Sequence, residues 1–196
     1  MTARLGLVRH GAHAEVGRVL GGRRSDIGLS DEGRAEVEVL ARNLGGCGAV
    51  RVESSPRLRT RQTAEILGAA LGLPVAVEDA LDEIDFGNWS GRSFAELDRD
   101  PAWQRWNSAR ATAPTPGGET MAAAVARAAA HLDALGRAGE TVLCVSHCDI
   151  IRGLVAHWLG LSLDNILRFE VGTASICWLA PDGQGGGQVL TLNGRS

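Results

Sequence analysis

The segment Thr141-Val142-Leu143-Cys144-Val145-Ser146-His147-Cys148-Asp149 decides the fold class, because its first five residues form the most strand-like run in the chain. Apolar and β-branched residues in an unbroken run predict a buried strand, here over 141–145, and Asp149 begins an apolar-faced helix. A similar strand is predicted over 4–8, and it leads into Arg9-His10-Gly11. Buried strands of this kind are typical of parallel sheets, and a histidine follows each of these two.

Short strands and amphipathic helices alternate through the rest of the sequence. Further strands are predicted over residues 49–53, 73–77, 174–179 and 188–192, the last two as an antiparallel pair around a Pro-Asp-Gly turn. Helices are predicted from Ser30 to Gly45, from Ser55 and Pro56 to Gly72, and from Thr120 to Leu135, with Ser30 and Ser55 as N-caps. The centre, over residues 78–118, is predicted to be irregular.

This alternation predicts an α/β fold, with a three-layer, mostly parallel open sheet and helices on both faces. No internal repeat or low-complexity linker interrupts the pattern, so residues 1–196 are predicted to form a single domain. Ligands of such sheets bind outside the carboxyl ends of the strands. Because His10 and His147 follow two such ends, we expect them to face each other in one crevice.

The composition excludes several classes of function. All 20 basic residues are Arg, which removes the lysine of phosphate-binding loops, Schiff-base catalysis and lysine general bases. A net charge of −3 without a polybasic face argues against binding to nucleic acid or to an anionic membrane. Because no apolar run has the length of a membrane span, no signal-peptide pattern is present and the four cysteines are scattered, we expect a cytoplasmic protein with reduced thiols.

The tripeptide Arg9-His10-Gly11 combines a cation, a nucleophile and a residue that lets backbone approach a ligand. Imidazole attacks phosphorus when it is neutral, and its second ring nitrogen then needs a hydrogen-bond acceptor. A transferring phosphoryl group spreads negative charge over three oxygens, so positioned cations are the main requirement. Arg9 and Arg59 could supply them, and His147 could add a third charge beside the backbone amide of Cys148 at a helix start.

A series of segments in the same order resembles the histidine phosphatase superfamily, and in particular its phosphoglycerate mutase-like branch. The segments are Leu7–Gly11, Leu29–Gly33, Ser54–Ala64, Leu81–Gly91, Pro116–Glu119 and Val145–Arg152, and they run over nearly the whole chain. The resemblance implies a phosphoglycerate mutase-like fold. It also implies a phosphatase that acts without metal or cofactor on a small phosphorylated substrate.

The resemblance gives each matching residue a role. His10 would be the phosphorylated nucleophile, and Glu83 would be the general acid for the leaving oxygen and then the base that activates water. The catalytic residues that it implies are His10, Glu83, His147, Arg9 and Arg59. The substrate-binding residues that we predict are Arg9, Gly11, Gly22, Arg59, His147 and Cys148.

Physical reasoning supports Glu83 in this role, because a carboxyl group near a dianionic phosphate has its pKa raised by the like charge. Asp82 and Asp85 are neighbouring carboxylates to which the same reasoning applies. Only the register of the motif Glu83-Ile84-Asp85-Phe86-Gly87 selects Glu83 among the three.

The sequence departs from the family pattern beside the predicted nucleophile and in its centre. Ala12 and His13 stand where the family usually has Glu or Gln and then Thr, and Val16 stands nearest to a phosphate-binding Asn of mutases. The centre between Gly91 and Glu119 is short, and the chain has no Lys for a second phosphate. Both features favour water as the phosphoryl acceptor and therefore a phosphatase. A phosphoglycerate mutase is the alternative, as is α-ribazole phosphatase as the specific activity.

For several residues of the loop after the predicted nucleophile, the sequence allows two interpretations. His13 could contact the substrate phosphate or have no role. The arginines Arg18, Arg23 and Arg24 could guide an anionic substrate or simply be solvated. The aromatic residues of the centre, Trp89, Trp103 and Trp106, could wall the substrate pocket, although packing is the favoured interpretation.

Two alternatives come from other classes of protein. The spacings His10-x-x-His13 and Cys144-x-x-His147 could suggest zinc, but alternate side chains of a strand point to opposite faces, so we predict no metal site. A non-enzymatic scaffold that binds phosphorylated ligands usually lacks a catalytic position, and every such position is present here. The carboxy-terminal strand pair could offer an edge for a homodimer.

Overall fold

The computed structural model describes residues 3–23 and 27–195, and one open sheet forms its centre. Within the described residues the strands are β1 (Leu5–Arg9), β2 (Arg51–Ser54), β3 (Val75–Val77), β4 (Val142–Ser146), β5 (Ile176–Pro181) and β6 (Gly187–Gly194). Their order across the sheet is β3-β2-β4-β1-β5-β6.

The strands β1 to β4 run parallel to one another. On the other side of β1, β5 pairs antiparallel with β1, and β6 pairs antiparallel with β5. Leu7 of β1 lies beside Cys144 of β4, and Arg9 lies beside Ser146. The prediction of a mostly parallel open α/β sheet is confirmed. The predicted antiparallel pair near the carboxyl terminus is present as β5 and β6.

Helices cover both faces of this sheet. They are α1 (Asp31–Asn43), α2 (Leu58–Leu71), α3 (Phe94–Leu97), α4 (Pro101–Ser108), α5 (Met121–Ala138) and α6 (Cys148–Trp158), with short 3-10 helices at Asp79–Leu81, Gly87–Trp89 and Leu163–Arg168. Leu7 packs in one buried cluster with residues of α5 and α6, whereas Val8 packs in a second cluster with residues of α1 and α2. The chain therefore leaves β1 toward one face and β4 toward the other, which opens a crevice between their carboxyl ends. Among the described residues, no helix combines the length and apolar character needed to cross a membrane.

Capping residues are present at the ends of three helices, including the predicted N-cap Ser30. Ser30 and Thr120 cap α1 and α5, because each hydroxyl accepts a hydrogen bond from a backbone amide of the first turn. Gly72 ends α2 in the left-handed region at φ 67°, where a side chain would be strained.

The start of α2 differs from the prediction, since the helix begins at Leu58 and not at Pro56. The Ser55 amide donates to the Val145 carbonyl at 3.0 Å, as if β2 continued, and its hydroxyl lies 2.8 Å from a ring nitrogen of His147. The amide and the hydroxyl of Ser55 are thus both used by tertiary contacts. Ser55 therefore extends the carboxyl end of β2 and does not cap the helix.

The prediction of an irregular centre is wrong in part, because α3 and α4 lie within residues 78–118. Ser93 and Glu96 form a reciprocal capping box at the start of α3. Asp100 caps α4, and Pro101 occupies its first turn. These helices are short, so no apolar period marks them in the sequence.

The three tryptophans of the centre pack against one another. The ring centroid of Trp89 lies 5.2 Å from that of Trp103 and 6.1 Å from that of Trp106. Trp89 and Trp106 are fully buried, which agrees with the packing interpretation. Trp103 also faces the cavity described below.

Candidate active site

The predicted crevice lies where β1 and β4 end side by side. The His10 amide donates to the Ser146 carbonyl at 3.1 Å, and the ring centroids of His10 and His147 are 5.4 Å apart. The two histidines thus face each other, as the strand ends predicted.

His10 is a buried, neutral imidazole with a fixed orientation. Its Nδ1 donates to the Gly11 carbonyl oxygen at 2.9 Å, because that oxygen can only accept. Nε2 therefore carries the lone pair, and His10 lines the cavity. Burial lowers the pKa of His10 well below 6.5, and the charges of Arg59 and Arg9 lower it further. The ring is held in the state that a nucleophile requires.

Gly11 lies behind His10 and is absent from the lining of the cavity. Its amide donates to the Thr63 hydroxyl at 3.1 Å, while its carbonyl is used by His10. A Cβ atom at this position would lie 2.5 Å from the Gly33 carbonyl oxygen, so only glycine lets the turn approach α1 so closely. Gly11 therefore orients the His10 ring through its carbonyl oxygen.

Arg59 and His147 belong to one buried chain of hydrogen bonds. Arg59 donates from NH2 to Nδ1 of His147 at 3.0 Å and to the Gly22 carbonyl at 3.1 Å. Since a guanidinium can only donate, Nδ1 of His147 accepts and its Nε2 donates to the Ser55 hydroxyl at 2.8 Å. That hydroxyl donates in turn to Asp82 at 3.2 Å.

The pKa of His147 is lowered well below 6.5 by burial and then by the charge of Arg59. His147 is therefore neutral, and the expectation that it adds a third charge to the pocket is wrong for this structure. Its side chain is fully buried and stands behind the cavity lining.

Arg9 and Cys148 are held by the same carbonyl at the cavity wall. Arg9 donates from NH1 to the Val171 oxygen at 2.7 Å, and the Cys148 thiol lies 3.6 Å from it. Burial raises the pKa of the Cys148 thiol to about 11, so it is a protonated group at neutral pH. Cys148 is the first residue of α6, whose amides point toward the cavity end of the helix.

Glu83 is the carboxyl group that reaches the cavity from the centre of the chain. Its Oε1 accepts from the Ile84 amide at 3.0 Å, and its Oε2 lies 3.8 Å from Nδ1 of His147. Its pKa is raised to about 8, mainly by burial and then by the charge of Asp149, against the opposing effect of Arg59. Sequence reasoning expected a raised pKa from the phosphate charge, whereas the raised pKa here comes mainly from burial.

The neighbouring carboxylates Asp82 and Asp85 accept hydrogen bonds that hold the surrounding structure together. Asp82 accepts from Nε and NH2 of Arg57 at 2.9 and 2.8 Å, and from the Glu83 amide at 2.8 Å. Asp85 accepts from the Gly87 amide at 2.9 Å. Neither of them lines the cavity.

The cavity in front of His10 has a volume of about 420 Å³. Its lining consists of Arg9, His10, His13, Val16, Gly17, Val19, Leu20, Gly21, Gly22, Arg59, Glu83, Phe86, Phe94, Trp103, Arg110, Cys148, Asp149 and Arg152. Sequence reasoning missed Arg110, Asp149 and Arg152 as lining residues. The spacing of Asp149 and Arg152 behind His147 was an available signal, because residues three apart share a helix face. Arg110 lies in no recognised segment.

Some polar residues of the loop after β1 line the cavity, and others form hydrogen bonds with the surrounding protein. His13 lines the cavity with its ring 5.2 Å from that of His10, and burial, Arg59 and Arg9 lower its pKa to about 4. Arg23 instead donates to the Glu83 carbonyl at 2.7 Å and to Glu119 at 2.6 Å.

Of the two other loop arginines, Arg18 does not line the cavity, and Arg24 lies outside the described residues. Gly22 lines the cavity at φ 54°. Within residues 3–23 and 27–195, no three His, Cys, Asp or Glu side chains are grouped so that they could hold a metal ion.

The α/β fold and the groups around the cavity are suited to binding a phosphoryl group. A neutral imidazole with a free lone pair, two arginines and a carboxyl group with a pKa of about 8 surround one cavity. Residues 5–194 match the histidine phosphatase superfamily (branch 1), and the chain belongs to this superfamily.

Several known relatives carry phosphatase names. The chain is 33% identical over 185 residues to an acid phosphatase of Mycobacterium tuberculosis, covering 88% of this chain and 84% of that protein. It is 37% identical over 180 residues to a bifunctional protein of the same organism, covering 88% of this chain and 49% of that protein. The chain thus spans about half the length of the first relatives that it matches. A solved mycobacterial glucosyl-3-phosphoglycerate phosphatase has a TM-score of 0.85 and 28% identity, over 99% of this chain and 100% of that one.

Proposed function

We propose that this protein hydrolyses a small phosphomonoester through a phosphohistidine intermediate on His10. One observation carries the proposal: Nδ1 of His10 donates to the Gly11 carbonyl, which leaves Nε2 unprotonated at the cavity. A lowered pKa keeps the ring neutral at physiological pH. The acid phosphatase name of one relative supports the same reaction class.

In the first half-reaction, Nε2 of His10 attacks phosphorus as the ester P–O bond breaks. Arg9 and Arg59 stabilise the charge on the transferring oxygens, and the Cys148 amide at the start of α6 adds a dipole of favourable sign. Glu83, which is mostly protonated at pH 7 because of its raised pKa, gives its proton to the leaving oxygen.

In the second half-reaction, Glu83 acts as a base. Its carboxylate takes a proton from a water molecule whose oxygen attacks phosphorus, and the P–N bond to His10 breaks. Inorganic phosphate leaves, His10 is again neutral, and Glu83 is again protonated.

A phosphoglycerate mutase is the second candidate, since a phosphohistidine can also pass its phosphoryl group to an alcohol. The absence of Lys from the sequence and the short centre favour water instead. Adding 2,3-bisphosphoglycerate distinguishes the two, because a mutase then interconverts phosphoglycerates faster than it releases phosphate. The α-ribazole phosphatase alternative rests on the Trp103-x-x-Trp106 spacing and on the segment Gly117-Gly118-Glu119. Burial of Trp106 among other aromatic rings gives that residue a packing role.

His10→Ala tests the nucleophile. We expect loss of phosphate release and of an acid-labile phosphoenzyme trapped by rapid acid quench. His157→Ala, at an exposed position on α6, is the matched control and should retain both. Turnover that survives in His10→Ala would show that another group attacks phosphorus.

A further inference from the structure

A second group of charged residues lines the cavity beyond those assigned to the phosphoryl group. Arg110 and Arg152 line it together with Asp149, and neither arginine has a part in the mechanism above. Asp149 and Arg152 lie three residues apart on α6, so they share a face of that helix. Arg110 approaches from the chain after α4, and its NH1 donates to Asp149 at 3.2 Å.

Arg110 is fixed in place before any ligand binds. Its side chain is only 6% exposed, and its NH2 donates to Asn107 at 2.6 Å. The guanidinium carbon lies 4.1 Å from the centroid of the Trp106 ring, on which it stacks. These contacts leave its buried Nε without an acceptor among the described residues. A rigid guanidinium on the wall of a cavity suits a planar acceptor such as a carboxylate.

Arg152 is held more weakly than Arg110, so it can exchange its partner for a ligand more easily. Its side chain is 13% exposed, and its NH2 donates at 3.3 Å to Glu170, which is 78% exposed. An ion pair with so exposed a partner contributes little and can be exchanged for a ligand. Its Nε is also buried without an acceptor among the described residues. Arg110 and Arg152 thus place two guanidinium groups on the wall of one cavity, and a carboxylate on the substrate can accept hydrogen bonds from both.

The charges of this group indicate how many negative charges it can accept. Arg110 and Arg152 carry two positive charges and Asp149 one negative charge, so one carboxylate balances them. The phosphoryl dianion already meets the two positive charges of Arg9 and Arg59. Building on the proposed function, we propose that the substrate is the phosphomonoester of a hydroxy acid, whose carboxylate binds Arg110 and Arg152 while its phosphate lies at His10.

Two small esters test this with a single chemical difference. In glycerol 3-phosphate a hydroxymethyl group replaces the carboxylate of 3-phosphoglycerate, and the rest of the molecule is the same. We expect kcat/KM for 3-phosphoglycerate to exceed that for glycerol 3-phosphate by about 10-fold to 100-fold, the range for hydrogen bonds to a charged group. A ratio near one, with both esters hydrolysed, would overturn the proposal.

Substitutions should change this ratio in opposite directions. Arg152→Gln removes one fork and should bring the ratio toward one. Arg110→Lys keeps the charge but loses the planar fork, and it should lower the ratio without leaving Asp149 unpaired. Glu170→Gln frees Arg152 from its exposed partner and should raise the ratio by up to about fivefold. Arg168→Gln, at an exposed position outside the cavity, is the control and should leave the ratio unchanged.

A second pair of esters excludes recognition of an amine by Asp149. Phosphoserine carries a carboxylate and an ammonium group, whereas phosphoethanolamine carries only the ammonium group. We expect phosphoserine to be the better substrate, and equal rates for the two would overturn the proposal. If no ester in either pair is hydrolysed and His10 is not phosphorylated, the proposed phosphatase function itself is refuted. If the esters are hydrolysed at equal rates, only the proposed carboxylate site is refuted.

Discussion

Glu83→Gln removes the proton that we assign to the leaving alcohol and preserves most of the local structure. Glutamine keeps the side-chain length and an oxygen that can accept from the Ile84 amide, which lies 3.0 Å away in the wild type. General acid catalysis contributes about 100-fold to 10,000-fold, so we expect kcat/KM for an alkyl phosphate to fall by a factor in that range. Nitrophenyl phosphate should lose far less, because its leaving oxygen needs no proton.

The raised pKa of Glu83 gives this prediction a pH dependence. In the proposed mechanism the protonated form acts in the first step, so kcat/KM should be high below a pKa of about 8 and should fall above it. The protonated fraction drops from about 0.9 at pH 7 to about 0.1 at pH 9, roughly a tenfold change. His10 does not titrate in this window, since its pKa is lowered well below 6.5. An alkyl phosphate is already a dianion there, because its second pKa is about 6.

The assay is phosphate release from glycerol 3-phosphate between pH 7 and pH 9.5, at substrate concentrations below KM. Wild type and the control Glu65→Gln, at an exposed position on α2, should share a decrease near pH 8. Glu83→Gln should be flat across this range. Asp149→Asn should shift the decrease to lower pH, because it removes the like charge that helps to raise the pKa of Glu83.

A decrease near pH 8 that persists in Glu83→Gln would refute the assignment of the general acid. Equal losses for glycerol 3-phosphate and nitrophenyl phosphate would show that Glu83 does not protonate the leaving oxygen. Because kcat/KM reports only the steps up to formation of the phosphoenzyme, the later role of Glu83 as a base does not confuse the result.

Two further substitutions test how the imidazoles are positioned. Ser55→Ala leaves Nε2 of His147 without its 2.8 Å acceptor and should lower the free energy of unfolding by about 1–3 kcal/mol in urea titrations, whereas Ser108→Ala at an exposed position should not. An unchanged midpoint and unchanged kcat would show that the hydroxyl is dispensable. Gly11→Ala places a Cβ atom 2.5 Å from the Gly33 oxygen and should cost about 1–3 kcal/mol and slow phosphoenzyme formation. Gly45→Ala, whose Cβ would meet its nearest neighbour at 3.4 Å, is the control, and equal behaviour of the two variants would contradict the steric argument.

The sequence was sufficient to place the two histidines together, and the reason is topological. Parallel neighbours bring their carboxyl ends to the same edge, so His10 and His147 meet once β1 and β4 are adjacent. The order of the segments likewise selected Glu83, and the structure places it on the cavity while Asp82 and Asp85 are engaged elsewhere.

The orientation of individual arginines was not predictable from local sequence. From the sequence, Arg23 could guide an anion or be solvated, yet its guanidinium binds Glu119 and a backbone carbonyl. Arg110 carried no signal, yet it lines the cavity because Asp149, Asn107 and Trp106 hold it there. Contacts between distant segments decide both cases, and a local pattern does not encode them.

The start of α2 was mispredicted for the same reason. A serine followed by proline is a favourable way to begin a helix. At Ser55 the amide and the hydroxyl are instead taken by Val145 and His147. Tertiary hydrogen bonds to a buried site outweigh the local preference.

The hydrogen-bond chain Arg59–His147–Ser55–Asp82 has a consequence for how mutational data on this protein should be read. Asp82 precedes Glu83 directly and accepts from its amide, so the chain that positions Arg59 also fixes the backbone of the residue that we propose as the acid. Substitutions within the chain should therefore be non-additive with substitutions at Glu83 in double-mutant cycles. A deep mutational scan for activity should rank Ser55 and Asp82 among the least tolerant positions, although neither lines the cavity.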